Sequence, residues 1–285
     1  MQPSPIRTAS VTAVALCAFA ANSLLCRAAL APGADGMRAI DPAAFTGIRL
    51  ASGAVVLALL VRARREPIGG GSFRAGIALC AYAVAFSLAY VRLPTGIGAL
   101  LLFGAVQVTM IASAVRRGEP LRARQWIGVV LALGGLAWLV LPGQDAPDLV
   151  GALSMASAGV AWGIYSLLGR GSARPLATTA HNFLWSLPAA ACFLAVERDA
   201  LHAEARGVVL AVLSGAVASG LGYAVWYTAL RGLSAAQAAV VQLAVPVLAA
   251  VGGVVLLGET PAMRLVGASV VILAGIAAAV LPRRR

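Results

Sequence analysis

The chain has 285 residues, of which 61% are hydrophobic and only 11% charged, and its net charge is +12. A soluble domain carries about 25% charged residues, and a chain of this length could not hide so much apolar surface in a core, so a soluble globular protein is excluded. The positive charge does not mark a nucleic-acid binder, because the basic residues, all Arg and no Lys, form no single patch and sit in short joints between apolar runs.

In chain order, ten apolar runs are bounded by charged or turn residues: 9–30, 43–61, 74–91, 95–115, 124–141, 149–168, 177–196, 207–230, 235–256 and 263–281. Each is long enough to cross a bilayer, since about 20 residues at 1.5 Å each span the hydrocarbon. The first follows Arg7 like a signal sequence, but its length and the interruptions at Asn22, Ser23 and Arg27 favour an uncleaved helix. The fold class expected is therefore an all-α membrane protein with ten transmembrane helices.

Arg distribution orients the spans. The N-terminus, 62–74, 116–124, 169–176, 231–234 and the C-terminus hold 15 Arg against two acids, while the alternate joints hold five Arg against eight acids. The first set is expected to be cytoplasmic, with both termini inside.

The chain also repeats itself. Residues 96–142 and 236–282 align without a gap at a constant offset. Gly118-Glu119 falls on Gly258-Glu259, Gly135 on Gly275, and Leu141-Pro142 on Leu281-Pro282. Two units follow, 1–142 and 143–285, each with five spans. An odd number of spans per unit turns the second upside down, giving two inverted five-helix repeats, a plan that recurs in secondary transporters.

These segments resemble the EamA-type members of the drug/metabolite transporter (DMT) superfamily. The resemblance lies in FAANSLLCRAAL (19–30), FTGIRLASGA (45–54), SLAYVRLPTGIGALLLFGAVQ (87–107), VAWGIYSLLGRGS (160–172) and WYTALRGLSAAQAAVVQLAVPVLAAVGGVVLLGE (226–259). It implies ten helices and transport of small organic metabolites or drugs across the cell inner membrane, with amino-acid-like substrates among them. It also implies a central cavity lined by the first, third, fourth, sixth, eighth and ninth helices. The expected partners are a small-molecule substrate and the lipid bilayer, with a coupling ion and a homodimer left open, and no nucleic acid. No cofactor or metal is expected.

Polar groups inside spans are costly and usually face a bundle interior. Arg49, six residues into the second span, either pairs with a substrate carboxylate or snorkels to the outer interface. Arg27 reads as an interfacial anchor. Asn22 belongs to a stripe with Ser23, Cys26 and Arg27 that lines a cavity or ties helices together. Gln107 and Gln242 fit either a substrate hook or interhelical glue. Trp162 and Tyr165, three residues apart near mid-membrane, suggest a pocket wall, whereas Tyr223, Trp226 and Tyr227 suit an interfacial belt as well as a pocket. Pro246 and Pro188 interrupt spans, and Pro246 is a candidate hinge. Glu119 and Glu259 read as caps of the helices that follow them. Gly159 and Gly163 suit close helix packing.

Cys17, Cys26, Cys80 and Cys192 lie in apolar runs without metal-ligand or CxxC spacing, and His181 and His202 are isolated. No P-loop, GxSxG or HExxH occurs. The chain is therefore not read as an enzyme. The alternative, a membrane-embedded enzyme or lipid-handling protein, would need a reactive constellation.

Overall fold

The computed structural model describes residues 5–33, 36–118, 123–141, 143, 146–233, 238, 241–260 and 262–280. Glu119, Pro142 and Arg283 to Arg285 lie outside the described residues. The helices are α1 (Pro5–Leu30), α2 (Pro42–Ala63), α3 (Phe73–Tyr90), α4 (Thr95–Arg116), α5 (Ala123–Val140), α6 (Leu149–Leu168), α7 (Pro175–Val196), α8 (Ala205–Leu230), α9 (Ala244–Leu257) and α10 (Met263–Val280). Seven of these, α1 to α4 and α6 to α8, are long and apolar enough to cross a membrane, while the apolar stretches Trp126–Val140, Ala244–Leu257 and Met263–Gly275 are shorter.

Local chemistry sets the boundaries. Asp41 accepts from the N–H groups of Ala43 and Ala44 at 2.8 and 2.9 Å, and Pro42 occupies the first helical position of α2, where a missing N–H costs nothing. Ser72 and Asp148 cap α3 and α6 in the same way. Gly258 ends α9 in the left-handed region (φ 67°). Large apolar side chains such as Val255 and Leu256 are about seven-tenths exposed, as suits a surface that meets lipid rather than water.

Within α8, residues Leu213–Leu221 form a π-helical segment, which the sequence reading did not anticipate. Such segments occur mostly where a helix must re-aim its side chains, often at functional sites. It brings Ser214, Gly215 and Ser219 against α1 and α2.

The principal helix pairs are unchanged when α1–α5 are exchanged for α6–α10. The pairs α1–α8 and α3–α6 correspond, as do α1–α9 with α4–α6 and α2–α8 with α3–α7, while α2–α7, α4–α9 and α5–α10 map onto themselves. The exchange reaches single residues. A Cβ on Gly135 would meet Ile272 at 2.6 Å, and one on Gly275 would meet the Ala132 backbone at 2.8 Å. As α5 advances from 132 to 135, its partner recedes from 275 to 272, so the two helices are antiparallel.

Joint contacts sort the loops onto two ends of the bundle. At one end Ile40 bridges Ala203, Arg92 pairs with Asp148 at 3.5 Å, and Arg264 donates to the Leu141 carbonyl. At the other, Gly71 and Ser72 donate to His181 and Asn182, and Arg174 donates to the Pro67 carbonyl at 3.3 Å. These are the same two sets that the Arg distribution separates.

The crossing of α5 and α10 depends on the absence of side chains. Gly275→Leu is expected to force these helices apart, costing about 1–3 kcal/mol by overpacking. Gly134→Leu, whose Cβ has nothing within 4 Å, serves as the control. Thermal midpoints in detergent check this, and equal midpoints would refute the packing argument.

Candidate functional site

The bundle encloses a cavity of about 270 Å³ between the two groups of helices. Its lining starts at the α6–α7 joint, with Gly169, Ser172 and Pro175, and ends at a ring-walled chamber. Phe19 of α1, Phe103 of α4, Trp162 of α6, Tyr223 of α8 and Gln242 also line a narrower recess of about 50 Å³, reached past these rings and bounded by Asn22, Ser23, Tyr82 and Phe86.

The rings form a continuous stack. Trp162 lies nearly parallel to Tyr223 (16°, centroids 5.8 Å apart), and Tyr223 continues to Tyr227 at 6.4 Å. Tyr82 approaches Trp162 at 4.8 Å, and Phe19 meets Trp226 edge-on at 5.7 Å. A cluster of this kind lines the cavity with aromatic surface, which favours apolar and cationic groups. Beside it, Thr179 bonds the Tyr227 hydroxyl at 2.6 Å, and Ser172 and Thr178 share a hydrogen bond of 2.7 Å. The Gln242 amide N–H donates to the Ala238 carbonyl at 3.3 Å.

Of the residues singled out from sequence, Gln107, Trp162, Tyr165, Trp226, Tyr227 and Gln242 line the cavity, and Asn22 lines the recess. Tyr223, Trp226 and Tyr227 all line the cavity, with Tyr223 and Trp226 buried, which favours the pocket alternative for them. α7 was not expected in the wall, yet Thr178, Thr179 and Asn182 contribute to it. Pro246 is not in the lining. It stands in the first turn of α9, not inside an unbroken span: residues Gln242 and Leu243 form a turn, and Val245 N–H bonds the Gln242 carbonyl at 3.0 Å. Proline has no N–H to bond that carbonyl in α-helical register, so the chain breaks where the ring would clash.

Arg49 does not snorkel. It is 3% exposed and points into the bundle. Its Nη2 donates to the Tyr82 hydroxyl at 2.9 Å, and its guanidinium lies 5.1 Å from the Tyr82 ring and 5.0 Å from the Phe86 ring. Its Nη1 has no hydrogen-bond partner. Asn22 donates to the same Tyr82 oxygen at 3.3 Å and accepts from Ser214 at 2.6 Å. The π segment makes this last bond by aiming Ser214 at α1.

Arg27 and Glu259 prove to be partners, and Glu259 departs from expectation. Arg27 is tied to other elements near the end of its span: its Nε pairs with Glu259 at 3.3 Å, and its Nη1 donates to the Tyr90 and Val91 carbonyls at 2.9 and 3.3 Å. Glu259 caps a helix, but it is α4 from the other half of the chain, not the helix that follows it. Both its oxygens accept from Thr95 N–H, at 3.0 and 2.9 Å, and Oε1 also accepts from the Thr95 hydroxyl at 3.1 Å. A free N–H at a helix start together with a guanidinium is a stronger demand on a carboxylate than its own local turn. Gly253 makes room, because a Cβ there would sit 2.3 Å from Glu259 Oε2. The tie sits at the end of the bundle opposite the α6–α7 joint. Among the described residues, no three His, Cys, Asp or Glu side chains converge to hold a metal.

Comparison with known proteins places this architecture. The model of the EamA-like transporter family matches the chain twice, over residues 9–141 and 149–281. An uncharacterized protein of Pseudomonas aeruginosa is 53% identical over 97% of this chain and 96% of its own length. The threonine/homoserine exporter RhtA of Salmonella typhimurium is 35% identical over 72% of this chain and 67% of its own. A probable terminal-alkyne amino-acid exporter of Streptantibioticus cattleyicolor is 30% identical over 73% of each. A solved crystal structure superposes with a TM-score of 0.65 at 23% identity, covering 95% of this chain and 97% of that one, a likeness of fold.

Proposed function

Because the chain belongs to the EamA-like transporter family and is accordingly a multi-pass membrane transporter, we propose that it exports small organic metabolites, amino-acid-like ones foremost, across the cell inner membrane by alternating access. Ten spans in two inverted five-helix repeats, 1–142 and 143–285, would carry the motion, with both termini cytoplasmic. The reciprocal contacts of α5 and α10 and the double family match support the repeats. The Arg-rich joints support the orientation. The names of the relatives, exporters of threonine, homoserine and another amino acid, support the substrate class.

One observation carries the reading. A cavity walled by rings from both halves runs from the α6–α7 joint and stops short of an end sealed by Arg27, Glu259 and Thr95. That is the inward-facing member of a pair of states, and exchanging the roles of the halves yields the outward one. Trp162, Tyr165, Trp226 and Tyr227 form the wall against which a substrate rests, Gln107 and Gln242 offer it amides, Asn22 stands at the deep end with Arg49 bonded to Tyr82 behind the recess wall, and the broken backbone before Pro246 is the hinge. No nucleotide-binding motif is present in the sequence, so a gradient of substrate or ion supplies the drive.

Efflux from cells preloaded with labelled L-threonine, with and without a proton gradient, tests this. Expression of the protein is expected to speed efflux several-fold. Replacing Trp162 by alanine opens one face of the chamber and should cut that efflux about tenfold, since losing a buried aromatic contact costs roughly 1–3 kcal/mol. Efflux indifferent to the protein across a panel of amino acids would sink the assignment.

A further inference from the structure

We propose that Arg49 and the Tyr82 hydroxyl together form the receptor for a carboxylate on the transported molecule. The inference rests on the transport reading and deepens it by naming the group the substrate must carry.

Hydrogen-bond donors outnumber acceptors around Arg49. A guanidinium has five N–H donors and no acceptor. Arg49 spends Nη2 on Tyr82, and Nη1 is unpartnered although the residue is 3% exposed. No Asp or Glu pairs with it among the described residues. A buried charge without a counter-ion is costly, and the faces of Tyr82 and Phe86 offset only part of that.

The neighbours remove acceptors rather than add them. The Asn22 carbonyl oxygen already takes the Ser214 hydroxyl, which fixes the amide so that its nitrogen faces Tyr82. The Tyr82 oxygen then accepts twice, from Arg49 at 2.9 Å and from Asn22 at 3.3 Å. Both its lone pairs are engaged, so its own proton is left to donate. The cluster is therefore a set of donors backed by a full positive charge. Asn22 and Tyr82 are walls of the recess, and Arg49, which is not itself in the lining, bonds Tyr82 from behind it, so the donor set borders the deep end of the substrate path. The residues lining cavity and recess include no Asp or Glu to repel an anion.

The complement is a small molecule with a carboxylate at one end and an apolar or ammonium portion against the stacked Trp162 and Tyr223 rings. A cation without a carboxylate would rest on the rings and leave Nη1 unpaired. Charge-assisted bonds are about twice as strong as neutral ones, so the recess should separate an acid from its neutral amide.

The experiment measures binding to purified protein in detergent, using a panel of L-amino acids, threonine included, each paired with its carboxamide. In the wild type the acid is expected to bind about tenfold or more tightly than its amide. In Arg49→Gln that ratio should fall close to one. Tyr82→Phe keeps the ring but removes the donor, and should lower the ratio several-fold; it decides the matter if Arg49→Gln fails to fold. Equal binding of acid and amide by the wild type, no binding of any acid, or a ratio unchanged in the folded variants would overturn the receptor. Efflux separates the two levels of claim. Acid and amide leaving cells equally fast would refute the receptor while the transport reading stands, whereas no protein-dependent efflux of either would refute transport itself.

Discussion

Gly215→Ala will lower the thermal midpoint of the protein by about 10 °C, taking roughly 3 kcal/mol of overpacking at 2–4 °C per kcal/mol. The added methyl would stand 2.1 Å from the Arg49 carbonyl oxygen and 2.2 Å from Ser52 Oγ. The first of these atoms is backbone and cannot swing aside, so α8 must retreat from α2 by about an ångström to restore van der Waals contact. That retreat also strains the Ser214–Asn22 bond of 2.6 Å, on which the orientation of Asn22 depends. The variant should therefore lose affinity for acids as well as stability. Ser214→Ala removes the bond without adding bulk and should cost less, about 1 kcal/mol. The two midpoints, measured side by side in the same detergent, check the order. A Gly215→Ala midpoint equal to that of the wild type would refute the claim that the π segment exists to let α8 touch α2.

Much of this architecture could be read from the residues because lipid imposes a length and forbids unpaired backbone. The expected span 74–91 is observed as Phe73–Tyr90, and 95–115 as Thr95–Arg116. The ninth span is the exception. Its expected start at 235 assumed that an apolar run is one helix, whereas the described continuous helix starts at Ala244, beyond the turn that Pro246 imposes. In the site, Gln107, Trp162 and Tyr165 were legible because a polar or aromatic group deep in a span needs a reason to be there. Thr178, Thr179 and Asn182 were not, because small polar residues in a helix look the same whether they glue helices or line a cavity. The partnership of Arg27 with Glu259 was illegible for a different reason. Capping rules are local, and nothing local in Leu-Gly-Glu-Thr-Pro says that its carboxylate will reach a helix start 164 residues away. The π segment left only a trace, the crowding of Ser214, Gly215, Ser219, Gly220 and Gly222 into one turn-rich stretch of small residues.

Glu259→Gln is expected to loosen the end of the bundle that Arg27, Glu259 and Thr95 tie together and, if the protein works by the proposed alternating access, to favour the form open at that end. The carboxylate holds together four elements at once: Arg27 of α1, the start of α4 at Thr95, and, through Arg27, the end of α3 at Tyr90 and Val91, while its own backbone ends α9. The side chains of Arg27 and Glu259 are only 18% and 15% exposed, so water does little to weaken the pair. Glutamine is isosteric but neutral. It can accept from Thr95 N–H, but it loses the charge that attracts both the guanidinium and the positive end of α4. Removing one partner of a largely buried pair costs about 3 kcal/mol, which is roughly a hundredfold in the ratio of closed to open forms at this end. Cys26, buried beside Arg27, is a built-in reporter. In a background with Cys17, Cys80 and Cys192 changed to serine, a polar thiol reagent should modify Cys26 slowly in the otherwise native protein and at least ten times faster in Glu259→Gln. Arg27→Gln should give the same direction, since it empties the other side of the pair. If both variants leave Cys26 as protected as before, the tie is a static cap and the seal lies elsewhere in the bundle. A faster reaction in both would mean that one carboxylate, donated across the chain to the helix that begins at Thr95, sets which end of the cavity is shut.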